Sequence, residues 1–272
     1  MREFHLHLIS DSTGETVDAV ARACLSQFDS VKPIRHVWNM VRSSGQLNEI
    51  ITEIEANPGI ILYTLVDRGL QKFLDSESRR LTMPCVSVLD PVVSTLRLYL
   101  GVEAQAEPGR QHVMDAEYFN RIEALNFVLS HDDGQSSGDL DDADVIVAGV
   151  SRTSKTPTCI YLANRGIKAA NVALNPGCSV PEELLKVKKP LCVGLTKDPR
   201  KLVRIRRSRL EMGAHSDETD YVDIHTVSEE VQEARRFFES RGWSVIDVTN
   251  KSVEEVAATI LHLYKRKIEQ AL

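Results

Sequence analysis

No two cysteines in this chain are spaced as C-x-x-C. The five, at positions 24, 85, 159, 178 and 192, lie far apart. A disulfide framework or a structural zinc site needs paired, closer spacing, so separate buried thiols are expected. Long apolar runs are missing too. Nothing approaches the roughly 20 residues that cross a bilayer. The opening residues, MREFHLHLIS, lack the layout of a secretory leader and enter a strand pattern at once. The expectation is a cytoplasmic protein with no membrane partner. Positive charge is not in excess either: the formal charge is −6. That leaves no general field to favour nucleic acid, so an anion must be held by local geometry. There is no solenoid-range repeat and no low-complexity tract.

What remains is ordinary globular material. Hydrophobic residues make up 42% and charged residues 26% of 272 positions, enough for one large domain or two of common size. Apolar β-branched runs alternate with helical spacing. Strands are expected at 4–10, 34–41, 59–67 and 84–90, with helices at 14–28, 45–57, 68–81 and 91–101. Repeated strand–helix units give a parallel sheet covered on both faces. A polar stretch with Pro and Gly, 102–115, reads as a linker, and 116–134 as a helix ending in an acidic turn. A second series follows: strands at 144–150, 169–174, 190–196 and 243–249, helices at about 155–165, 198–213, 226–242 and 252–270. The fold class is therefore α/β. A parallel-sheet domain over 1–104 precedes a P-loop kinase-like α/β domain over 105–272.

The stretch GVSRTSKTPT, 149–158, lies between an expected strand and an expected helix. It fits the phosphate-loop pattern G-x-x-x-x-G-K-[ST], with Gly149 first, Lys155 as the lysine and Thr156 as the hydroxyl. Amides of Val150, Ser151, Arg152, Thr153 and Ser154, leading into a helix N-terminus, converge on one anion. Lys155 adds a mobile charge, Arg152 a fork-shaped donor, and the Thr156 oxygen suits Mg²⁺. Ser154 replaces the second glycine, and a side chain there can hinder backbone approach. The plainer alternative is a Ser/Thr-rich turn capping a helix. No strand of the second series ends in a metal-binding aspartate, since LCVGLT ends in Thr196. The nearest acids are in SHDDG, 130–134, which sets His131, Asp132 and Asp133 together at a turn. Adjacent carboxylates raise one another's pKa, as a base requires; a solvated acidic loop is the alternative.

LSHDDG followed by ADVIVAGVSRTSKTPTCIYLANRGIKAAN resembles the bifunctional regulatory proteins of pyruvate, phosphate dikinase. That family includes the phosphoenolpyruvate synthase regulators. LISDSTGET (8–16), PGRQH (108–112), VGLTKDPRKLVRIRRSR (193–209) and VIDVTNKSVEEVA (245–257) are similar as well. The loop serine is similar to dikinase regulators, whereas synthase regulators more often keep glycine there. The resemblance implies a serine/threonine protein kinase that uses ADP to phosphorylate a threonine near the catalytic histidine of the phosphohistidine form of the dikinase. It also implies a phosphorylase, in which inorganic phosphate removes that group and pyrophosphate leaves. A homodimer is implied on the same ground. The loop would hold ADP, phosphate or pyrophosphate, Lys155 would stabilise transferred charge, Asp132 or Asp133 would be the base, and His131 a positioning group.

Other segments stay open at this level. Arg200, Arg204 and Arg207, spaced i, i+4, i+7, share one helix face. With Arg206 and Arg209 they form a lid over phosphate, a dock for the partner, or a solvated face paired with the acids of 228–233. SDSTGET is a second strand-to-helix turn, able to bind an anion or to cap a helix through Asp11, Ser12 or Thr13. Arg110 and His112 sit near the expected junction.

Overall fold

A computed structural model describes residues 2–105, 107–110, 116–132, 140–174, 180–212 and 220–271. The chain divides into two compact units, Met1–Val113 and Met114–Leu272. Each carries one four-stranded, all-parallel sheet. Among the described residues no helix is long and apolar enough to cross a membrane.

In the first unit the elements run β1 (Arg2–Ser10), α1 (Glu15–Leu25), β2 (Val31–Trp38), α2 (Ser44–Ala56), β3 (Gly59–Thr64), α3 (Arg68–Arg80), β4 (Cys85–Ser87) and α4 (Asp90–Leu100). Strand order is β2-β1-β3-β4. Alternation along β1 explains the two cores, because successive side chains leave opposite faces. Leu6 and Leu8 join Val17 and Ala21 of α1, while Ile9 joins Leu47, Ile51 and Ile54 of α2 and Leu74 of α3. α4 buries none of its residues. Leu98 and Tyr99 are 80% and 87% exposed, and Val92, Leu96 and Leu100 stand out beside them.

Two expectations fail here. Thiols are not uniformly buried: Cys159 is, but Cys24 is exposed on α1 and Cys85 and Cys192 are half-buried. Cys178 lies outside the described residues. Nor does Asp11, Ser12 or Thr13 cap α1. The cap is Gly14, left-handed at φ 82 with no side-chain cap bond, and Asp11 instead accepts the Val66 amide at 2.7 Å.

A histidine cluster crosses β1 and β2. His7 pairs with His36 across the ladder, the rings stack at 4.5 Å, and His5 Nδ1 lies 2.9 Å from His36 Nε2. His7 is fully buried; its Nε2 meets the Asn57 carbonyl at 2.8 Å, and its Nδ1 has no partner among the described residues. Burial, aided by the neighbouring His36 and His5, holds its pKa below the ordinary 6.5. The native state therefore binds fewer protons than the unfolded chain, and stability drains away as pH falls below about 6.5, by at most about 1.4 kcal/mol per pH unit. Trp38 is the only tryptophan left in a Trp243→Phe background. Its urea-unfolding midpoint should fall between pH 7 and pH 5, and should fall less in His7→Leu. Equal slopes in both proteins would show that His7 is not responsible.

The second unit runs α5 (Ala116–Ser130), β5 (Val145–Gly149), α6 (Lys155–Ala163), β6 (Ala169–Ala173), α7 (Glu182–Lys186), β7 (Leu191–Thr196), α8 (Pro199–Met212), α9 (Ile224–Ser240), β8 (Ser244–Asp247) and α10 (Val253–Ala271). Order is β6-β5-β7-β8. β5 is buried throughout, as suits the centre of a parallel sheet. Val145 and Val147 pack toward α5, α6 and α10, whereas Ile146 and Ala148 pack toward α8 and α9. Short α7 and 3₁₀ turns at Leu140–Asp142 and Asp220–Val222 were not expected from sequence; none has the length to show a period. α9 also starts earlier than expected. Its cap is Asp223, which accepts the Thr226 amide at 2.8 Å.

Candidate active site

β5 connects outward to β6, while β7 lies on its other side. The strand order reverses between β5 and β7, and in open α/β sheets the crevice beyond such carboxyl ends is where ligands bind. A cavity of about 500 Å³ lies there. Ser151, Arg152, Ser154, Lys155 and Thr156 line it from the loop, with Pro157, Ala173, Lys197 and Ile205 around them.

The loop turns sharply because two residues are left-handed, Arg152 at φ 72 and Ser154 at φ 65. Ser154 thus takes the conformation for which glycine is the usual choice, at a steric cost of roughly 1–2 kcal/mol. Gly149 has its own reason. A Cβ there would come within 2.8 Å of both the Leu195 carbonyl and the Thr153 hydroxyl. Thr153 is buried, and its hydroxyl donates to the Val150 carbonyl at 2.9 Å. Val150 is buried in the core facing α8 and α9. α6 begins at Lys155 with no side-chain cap, so its first amides and its dipole face the cavity. Lys155 is only 5% exposed, and its Nζ donates to the Val150 carbonyl at 3.2 Å.

The acidic turn meets this loop at Thr156. The Thr156 hydroxyl donates to Asp132 Oδ1 at 2.9 Å. Asn171 Nδ2 donates to the same oxygen at 2.5 Å and reaches Thr156 Oγ1 at 2.9 Å. The Asn171 amide also donates to the His131 carbonyl at 3.0 Å, which pins the turn to β6. His131 is buried, stacks on Phe127 at 4.0 Å, and shares its Nδ1 with the Phe127 carbonyl at 2.9 Å. Its side chain is therefore tied back to α5 rather than to the loop. Asp133 lies outside the described residues.

A second network holds the loop from the α8 side. Arg206 is 1% exposed and pairs with buried Glu230 of α9 at 2.7 Å. It donates to the Ser151 carbonyl at 3.3 Å and to the Tyr221 carbonyl at 3.1 Å, and its guanidinium lies 4.5 Å from the Tyr221 ring centre. The Tyr221 hydroxyl is 3.0 Å from Ser151 Oγ.

Gly149, Val150, Ser151, Arg152, Thr153, Ser154, Lys155, Thr156 and Asp132 are therefore brought together. Arg200, Arg204 and Arg207 are not: all three are exposed on α8 and none lines the cavity. α8 offers Ile205 there instead. Asn171, Lys197, Tyr221 and Glu230 were missed by sequence reasoning, and Arg206, grouped there with the arginines of a lid, dock or solvated face, is instead buried against the loop. Asn171 left a signal, a polar residue inside the apolar run AANVAL, since buried polar groups are the informative exceptions. In the first unit a smaller cavity of about 160 Å³ includes Asp11, Ser12, Gly14 and Arg110 in its lining. Burial there pushes the Asp11 carboxyl up, against the pull of the Val66 amide. Arg110 is exposed and pairs with Glu107 at 3.7 Å. His112 is outside the described residues.

Comparison with known proteins finds the kinase/pyrophosphorylase family matching residues 6–261. A protein of Paramagnetospirillum magneticum is 55% identical over 270 residues, covering 99% of this chain and 87% of its own. One of Caulobacter vibrioides is 50% identical over 260 residues, covering 96% and 82%. One of Rhodospirillum rubrum is 49% identical over 261 residues, covering 96% and 95%. All three carry the provisional name pyruvate, phosphate dikinase regulatory protein.

Proposed function

The chain belongs to the kinase/pyrophosphorylase family, and from that premise we propose that it moves a phosphoryl group on and off a threonine of pyruvate, phosphate dikinase, in the cytoplasm. In one direction the terminal phosphate of ADP passes to the threonine hydroxyl of the phosphohistidine form, leaving AMP. In the other, inorganic phosphate attacks the phosphorus of the phosphothreonine, the bond to the threonine oxygen breaks to restore the hydroxyl, and pyrophosphate is the product. The observation that carries the reading is the joining of two elements far apart in sequence, the Asp132 carboxylate and the Thr156 hydroxyl, at the foot of a left-handed loop holding a buried lysine.

Each group then has a task. The loop amides and the start of α6 bind the phosphates. Lys155 neutralises charge on the group in transfer. Thr156 Oγ1 and Asp132 offer oxygen donors of the kind Mg²⁺ prefers, so these two would hold the ion. When bound, Mg²⁺ neutralises phosphate charge. An aspartate of the 131–133 turn takes the proton from the attacking hydroxyl, or from inorganic phosphate. Asp132 accepts two hydrogen bonds on one oxygen, and among the described residues nothing engages its second oxygen, which is kept for that work. His131 and Asn171 position the turn. Arg200, Arg204 and Arg207, exposed and without ion pairs among the described residues, present a cationic face to the partner protein. The same reading takes the protein as a homodimer, and the bare apolar helix α4 supports it, because contiguous exposed apolar surface marks association sites. Light scattering that returned the mass of a single chain would exclude the dimer.

The test uses the purified chain, phosphohistidine-loaded dikinase, Mg²⁺, and either ADP or ATP. Threonine phosphorylation, read by mass spectrometry, should appear with ADP and not with ATP. Pyrophosphate should form when inorganic phosphate is added to the product. ADP binding without transfer to the dikinase, or to phosphoenolpyruvate synthase in its place, would leave a nucleotide sensor rather than an enzyme.

A further inference from the structure

We propose that Lys197 is the second phosphate-binding cation of the site, holding a phosphate anion against the loop from the β7 side, opposite Lys155. This deepens the phosphate-loop reading and rests on it. Three observations converge. Lys197 directly follows Thr196, the last residue of β7, and lines the same cavity as Lys155 and Thr156. It is half-buried, yet its ammonium makes no hydrogen bond or ion pair with another described residue. It also stands beside the very strand whose end lacks a carboxylate.

That last point decides the chemistry. A phosphate loop needs a metal-side carboxylate and cations for the phosphate oxygens. In this chain the carboxylate, Asp132, approaches Thr156 from the turn after α5. The end of β7 is thereby left free for a cation. An ammonium taken partly out of water without an ion pair is poorly compensated, since Asp247 at the end of β8 acts on it only through space, and a bound phosphate supplies the missing counter-charge. Burial lowers the pKa of Lys197, with Lys201 adding to the effect and Asp247 opposing it, in keeping with a site whose counter-ion arrives with the ligand. Lys201 is different. Its Nζ is engaged by Asn250 Oδ1 at 2.5 Å and by the Thr249 carbonyl, so it serves as a neighbouring control of equal charge.

The experiment is calorimetric titration of the whole chain with inorganic phosphate and with pyrophosphate, at constant ionic strength and Mg²⁺. Wild type, Lys197→Met, Lys197→Arg, Lys201→Met and Lys155→Met are compared, each first shown by thermal melting to be folded. Lys197→Met should weaken both anions about tenfold or more, as loss of a charged hydrogen bond worth roughly 1.5–3 kcal/mol implies. Lys197→Arg should recover most of the affinity, and Lys201→Met should bind as wild type. Wild-type affinity in Lys197→Met alongside a loss in Lys155→Met overturns this inference and leaves the loop reading standing. An equal loss in Lys201→Met also overturns it, since the effect would then be that of net charge. No binding of either anion by the wild type removes both readings together.

Discussion

Glu230→Ala should cost the second unit about 3–5 kcal/mol, because it leaves the Arg206 guanidinium buried and uncompensated. Arg206 is 1% exposed, so water cannot replace the lost carboxylate. Its other bonds go to the Ser151 and Tyr221 carbonyls, which are weaker partners than the carboxylate at 2.7 Å. Urea unfolding in a Trp38→Phe background, with Trp243 reporting from its stack on Phe238, would measure the change. A loss under about 1 kcal/mol would mean that the pair contributes no more than an exposed ion pair does.

The same pair permits a cleaner separation of stability from positioning. Replacing both partners by apolar residues, Arg206→Met with Glu230→Leu, removes the buried charges together, and such replacements are often neutral or stabilising. Stability should then return most of the way to wild type. The Ser151 carbonyl would still lack its donor, and the loop its brace from α8. Phosphoryl transfer in this double variant should remain well below wild type while the fold is intact. Full activity with full stability would show that the network holds the fold and not the loop.

Arg206 also shows where sequence stops being informative. Leu202, Arg206 and Leu210 follow one another at i, i+4, i+8, so Arg206 occupies the stripe that Leu202 buries completely. The period places it inside, but only the three-dimensional structure supplies Glu230 as its partner. Sequence spacing alone had grouped it with the exposed arginines of the same helix. The Gly149–Thr156 loop was legible because its chemistry is local: a buried strand, a turn, a lysine and a hydroxyl in the twelve consecutive residues 145–156. Strands and helices of both sheets were legible for the same reason, since periods of 2 and 3.6 repeat within each element. α7, at five residues, is too short to show either period. Lys197 and Asn171 belong to the site through strand order, which brings β6 and β7 to either side of β5. No local pattern carries that order. Ser154 is the opposite case. It departs from the glycine that the pattern asks for, yet its backbone takes the required left-handed turn.

Lys155→Met should lower the rate of ADP-dependent phosphorylation, and of phosphate-dependent removal, by about 100- to 1000-fold each. Removal of one preorganised donor to a developing charge costs that much in other enzymes, or about 2.7–4 kcal/mol of transition-state stabilisation. The effect should be large here for a structural reason. Lys155 is 5% exposed and lines the cavity, so no solvent cation takes its place, and the low local dielectric strengthens what it does. Methionine keeps most of the volume and forfeits the charge, and with it the bond to the Val150 carbonyl. The loss should therefore appear in kcat, with melting temperature close to wild type. Both directions should suffer alike, since one loop serves ADP in the first and inorganic phosphate in the second. Initial rates with saturating dikinase substrate, read by mass spectrometry for phosphothreonine and by pyrophosphate release, would measure both. A variant that lost phosphorylation but retained phosphorolysis within about threefold of wild type would require two phosphate sites, and the single-loop mechanism would have to be given up.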